Sequence, residues 1–146
     1  MIPNREAIYS ALFALVSQAA GFTTTSRRLE HWGEVPMEEQ PALYMVQKPE
    51  AVTQRKGLPA QHSLMVDIFV YAKTGEEETV APATILNPLV DAIDAVLAPD
   101  PGAGYFSLVV GGQTISHCWI DGQIENDEGV LGAQAVAIIQ VRMLVV

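Results

Sequence analysis

Cysteine is nearly absent. Cys118 stands alone among 146 residues, so no disulfide can form within the chain and a reducing compartment is natural. Positive charge is also scarce: 8 Lys and Arg face 17 Asp and Glu, a formal charge of −9. Binding to nucleic-acid phosphates needs clustered cations to release counterions, so this balance argues against it and fits a soluble acidic surface. The charge is uneven. Residues 75–101 hold Glu76, Glu77, Glu78, Asp91, Asp94 and Asp100 with no Lys or Arg, whereas residues 51–74 set Arg55, Lys56 and Lys73 against Asp67 alone. No run reaches the ~20 apolar residues of a membrane-spanning helix, which leaves no membrane role. Histidine is limited to His31, His62 and His117, none spaced as a ligand pair with another His or with Cys118. Internal repeats and low-complexity tracts are missing too.

What is present is hydrophobic patterning. With 49% hydrophobic and 17% charged residues, the chain can bury one sizeable core, and one domain over residues 1–146 is expected. Residues 7–16 resemble the apolar core of a signal peptide, but Glu6, Tyr9 and Ser10 break that pattern. Ile8, Leu12, Leu15 and Ala19 recur instead at helical spacing, with Asn4 as N-cap and Glu6 in the first turn. An amphipathic core helix is the expectation.

After Gly21, residues 24–30 are rich in β-branched side chains and predict a strand. A loop follows to Pro41, then a second strand at residues 42–47. Residues 48–61, with Pro49, Gly57 and Pro59, predict a long mobile loop or arm between two strands. The next strand is strong: Leu64, Val66, Ile68, Val70 and Ala72 share one face, with Asp67 and Lys73 on the other. Pro82 and Asn87-Pro88 are two possible helix starts, predicting a kinked helix or two abutting ones. Leu86, Leu89, Ile93 and Val96-Leu97 form the buried stripe. Residues 106–110 and 113–120 flank Gly111-Gly112, which suits a two-residue hairpin turn. In that register Phe106, Leu108 and Val110 share a face with Ile115, His117 and Trp119. Asp121-Gly122 turns the chain, and residues 126–132 read as a polar loop.

Residues 134–146 alternate most cleanly. Ala135, Ala137, Ile139, Val141, Met143 and Val145 make one wholly apolar face that must be covered. The other face mixes Val136, Ile138 and Leu144 with Gln140 and Arg142, making it a candidate contact surface.

Catalytic constellations are weak throughout. His117-Cys118 is the nearest approach to a metal or thiol site, yet neighbours on a strand point to opposite faces, so a packing role is expected. Asp91 and Asp94 share a helix side but face solvent, with nothing to separate their pKa values. Residues 76–78 read as a solvated charge run. Gly111-Gly112 lacks the strand-to-helix context and the following Lys-Ser/Thr of a phosphate loop. Ser107 and Ser116 have no evident base. The expectation is no enzyme, no cofactor and no metal.

The element order resembles the tail terminator or tail-completion (minor tail) proteins of long-tailed bacteriophages. The likeness is carried by Arg5, Ile8, Ala11-Leu12 and Leu15; by Gln40-Pro41-Ala42-Leu43; and by residues 64–71. It continues through Leu86, Leu89-Val90-Asp91-Ala92-Ile93, Gly111-Gly112 and Ile120-Asp121-Gly122-Gln123-Ile124 to the final apolar strand. The resemblance implies an α+β fold, a mainly antiparallel β-sheet with two helices packed on it, assembled into a ring that is commonly a hexamer. It implies a virion protein of the tail, made in the host bacterial cytoplasm, that caps the head-proximal end of the tail tube. Its partners would be its own copies, the tail tube protein and the head connector or neck protein, with DNA only passing through the lumen. Candidate assembly contacts are Arg27, Arg28, Gln54, Arg55, Lys56, Gln140 and Arg142. The rival readings are a neck or head-closure protein and a small-ligand α+β domain with an apolar pocket beside His117, Trp119 and Cys118.

Overall fold

Two long strands organise the molecule. In the computed structural model, which describes residues 4–75, 80–99, 101–102, 106–110, 113–129 and 133–145, β4 (Gln61–Lys73) pairs antiparallel with β8 (Gln134–Val145). The ladder runs from His62 opposite Val145 to Lys73 opposite Gln134. Around it lies an eight-stranded sheet in the order β1 (Thr24–Ser26), β2 (Ala42–Gln47), β4, β8, β6 (Gln113–Ile120) and β5 (Phe106–Val110), with β3 (Ala51–Thr53) also on β4 and β7 (Glu125–Asp127) also on β8. Among the described residues only the pairing of β1 with β2 is parallel. Each long strand is thus flanked by two short ones end to end: β2 and β3 (Ala51–Thr53) along β4, β6 (Gln113–Ile120) and β7 (Glu125–Asp127) along β8.

Because side chains alternate across a strand, the apolar residues of β4 and β8 share one face. Leu64, Val66, Ile68 and Val70 lie opposite Met143, Val141, Ile139 and Ala137, all fully buried. Helices α1 (Arg5–Val16) and α2 (Ala83–Val96) cover this face, and their buried residues join the same core. Asn4 caps α1 as expected, its Oδ1 accepting from the Glu6 and Ala7 amides. Tyr9 and Val16 join Ile8 and Leu12 as buried residues, while Leu15 is half-buried beside them.

Several expectations need correction. The first strand ends at Ser26 instead of residue 30, with the Arg28 amide turning onto Ser26 Oγ. The connection after residue 48 is partly strand, because β4 outruns β2 and its first residues need backbone partners, which β3 supplies. Of the two helix starts offered by the sequence, the one at Pro82 holds: α2 is one helix with Pro88 inside it, so Asn87 is not a cap. The Ala83 amide at its start is met by Glu128 Oε2 at 3.1 Å. Residues 125–127 are strand, not loop, and lie along Ile138, Ala137 and Val136.

The pairing of β5 (Phe106–Val110) with β6 shifts by one residue between Phe106 and Leu108. That bulge places Cys118 opposite Met143 on the helix-covered face and sends His117 and Trp119 to the other, opposite Leu144 and Arg142. His117 and Trp119 therefore do not share the face of Ile115. Their rings stack at 4.1 Å. Residues 76–78, Asp100, Gly104 and the Gly111-Gly112 turn lie outside the described residues, as does the side chain of Phe106.

Candidate functional site

The chemistry-bearing pair of the sequence is split by the sheet. Cys118 is buried under the helices, where burial pushes its thiol up to about 12, while the His117 imidazole lies on the opposite face against Trp119. A pocket shared by His117, Trp119 and Cys118 is therefore excluded. Asp91 and Asp94 are exposed on α2. Among the described residues no group of three His, Cys, Asp or Glu could hold a metal, and no helix is long and apolar enough to cross a membrane.

Among the described residues, the outer face of the sheet, away from the helices, is covered at one end. There residues 30–40 fold over it and form a second small core of Val35, Ala42, Tyr44 and Tyr71, with Trp32, Phe69 and Val136 packed against it. Three polar contacts pin this segment: Tyr71 OH donates to Glu30 O, Gln134 Nε2 to Trp32 O, and Gln40 Nε2 to Val35 O. Beside the segment opens a groove of about 400 Å³. Its floor is Phe69, Tyr71, Val136 and Ile138, with Trp32 as one wall. Glu125, Asn126 and Asp127 of β7 form the opposite rim. An apolar floor with an acidic edge is the composition of a small contact surface.

At the far end of the sheet, β3 and the start of β4 form an arm. Its tip, residues 54–60, is closed by Gln54, whose side-chain amide donates to Leu58 O at 2.7 Å, and by the Leu58 amide on Arg55 O. Gly57 sits at φ +81, the left-handed region that this turn needs. Arg55 and Lys56 are exposed and make no ion pair among the described residues.

The base of the arm is tied to α1 by a contact the sequence reading missed. Arg5 grips Glu50 through Nε and Nη2 at 2.7 and 2.9 Å, and Glu50 Oε2 also meets His62 Nδ1 at 2.9 Å. The Arg5 guanidinium, with His62, holds the Glu50 carboxyl down to about 2 from its ordinary 4.5. A depressed carboxylate contributes stability that is complete above pH 4.5 and lost as pH falls through about 2. Glu50→Ala should cost about 1–2 kcal/mol at neutral pH and flatten the fall in melting temperature between pH 4.5 and 2. Thermal melts of both proteins across that range check it, and parallel curves refute it.

The other candidate contacts divide. Arg27 is committed internally, to Glu6 on α1 and to Gln47 on β2, whereas Arg28 is exposed. Gln140 and Arg142 lie on the outer face, half-exposed. Arg142 is held by Asp121 at 2.8 Å and donates to Ser63 Oγ, and Asp121 also accepts from Trp119 Nε1. Trp119, Arg142 and Asp121 are thus a pre-ordered polar and aromatic patch. Apart from the arm tip and Arg28, the charged candidates are bound into the fold.

This architecture, two helices on one face of a mostly antiparallel sheet, is an α+β fold with counterparts among solved structures. One is a chain from the virion of a native gene transfer agent (GTA) particle, 15% identical, covering 95% of this chain and 88% of that one at a TM-score of 0.51. A second solved structure, whose own name describes no function, is 13% identical with a TM-score of 0.58, covering 98% and 96%. At these identities the likeness is one of fold. No family model and no curated protein matches the sequence.

Proposed function

We propose that the chain is a non-enzymatic structural subunit of a phage-like virion that caps the head-proximal end of the tail tube as a ring, commonly of six copies. It ends tube polymerisation and presents the surface on which the head connector or neck joins, with DNA only passing through its lumen. The supporting observation is the likeness in fold, along nearly the whole chain, to a component of a gene transfer agent virion. The element order read from the sequence, which resembles that of tail terminator proteins, supports the same reading. Physically, a growing tube end exposes unsatisfied contact surface, and a cap occupies it without offering an identical new one.

Adding the purified protein to polymerising tail-tube subunits tests this directly. Tube lengths measured by electron microscopy should fall as the protein is added, with rings at one end. Rings in solution that leave tube length unchanged would move the protein to the neck or head-closure position.

A further inference from the structure

Two surfaces of the molecule are complementary and cannot meet within one copy. The arm carries Val52 and Leu58, which at 55% and 57% exposure are the most solvent-exposed large apolar side chains among the described residues. Arg55 and Lys56 sit between them in sequence and give the tip a double positive charge. The outer-face groove offers the converse, an apolar floor under the carboxylates of Glu125 and Asp127.

Both features are built on β4. The arm leaves it at Gln61, and the groove floor lies at Phe69 and Tyr71, roughly 26–33 Å away at about 3.3 Å per residue. The tip extends from Gln61 away from the groove, so its occupant must come from another molecule.

We propose that the arm of one copy seats in the groove of the next, with Leu58 on the apolar floor and Arg55 and Lys56 against the rim acids. Each copy then offers one arm and one groove at opposite ends of the sheet. Such a head-to-tail contact repeats in one sense and closes into a ring when its rotation permits. Charge complementarity selects this partner: the groove is acidic, and the adjacent Arg55-Lys56 pair is a cationic cluster on a chain of net charge −9. The inference rests on the ring-forming reading above and supplies its contact.

The test is charge reversal followed by mixing, read as native mass across a concentration series. Arg55→Glu with Lys56→Glu should raise the concentration needed for assembly roughly 100-fold, since like charges across an interface repel strongly. Glu125→Lys should raise it by about tenfold. Asp127 is left in place because its carboxylate accepts from the Gly129 amide. Mixing the two variants should restore assembly, because the unmodified arm of one meets the unmodified groove of the other and both reversed partners also attract. Rescue on mixing also shows that each variant is folded.

Wild-type protein that stays monomeric, or variants that assemble like wild type, would overturn the proposal. Wild-type-like rings of the arm variant that no longer shorten tubes would assign the arm to the tube protein and equally overturn it. A reciprocal dimer sensitive to both reversals and rescued by mixing would uphold the arm-and-groove contact while removing the ring.

Discussion

Ile139→Ala should lower the free energy of unfolding by about 3–4 kcal/mol and the melting temperature by roughly 10 °C. Ile139 is fully buried and directly opposite Ile68, itself fully buried, at the middle of the β4–β8 ladder. Its side chain belongs to the cluster that joins both helices to the sheet. Truncation therefore removes apolar contacts from the core between the helices and the sheet and leaves a void that the paired backbones cannot close. Leu58→Ala at the arm tip provides the control, because an exposed side chain gives up little on truncation, within about 0.5 kcal/mol. Urea titration with an unchanged slope measures both. A loss below about 1 kcal/mol at Ile139 would show that the two long strands are not the centre of the fold.

Cys118 should react with a disulfide reagent at pH 8 at least about 30-fold more slowly than an ordinary thiol, the loss of thiolate being partly offset by the greater nucleophilicity of a more basic one. Only the thiolate attacks, and a thiol raised to about 12 from its usual 9.0 carries about one thousandth of the normal thiolate fraction at that pH. The direction is fixed by burial, which penalises the charged form. Steric exclusion adds to the effect, since the side chain is 1% exposed beneath the helices. Labelling should become complete as denaturant unfolds the protein, and Ile139→Ala should speed it by populating the open state. Rapid labelling of the native wild type would place Cys118 on the outer face and undo the bulge that positions it.

The long-period features were legible in the sequence. The alternation of residues 64–72 and 135–145 gave the central ladder and its buried face, and Asn4 with Ile8 and Leu12 gave the first helix and its cap. Features that depend on remote partners were not. β3 and β7 are three residues each, too short to show a period, and exist because the ends of β4 and β8 need hydrogen-bonding neighbours. The bulge in the β5–β6 pairing reversed the expected faces of His117 and Trp119, since a shift of one residue turns every following side chain over. The Arg5–Glu50 grip spans 45 residues and the Tyr71–Glu30 bond 41, so neither leaves a local signal. The groove needed both the fold-back of residues 30–40 and the presence of β7, and for that reason no motif announced it.

The β4–β8 ladder also dictates when the subunit can come into being. Its paired residues stand between 61 and 83 positions apart in sequence, so a nascent chain emerging from the ribosome holds β4 without its central neighbour until residue 145 is made. Such distant pairing costs loop-closure entropy before it returns any contact energy, which slows folding relative to domains built on local contacts. Until then the groove floor lacks Val136 and Ile138, so the arm contact proposed above has no seat on an incomplete chain.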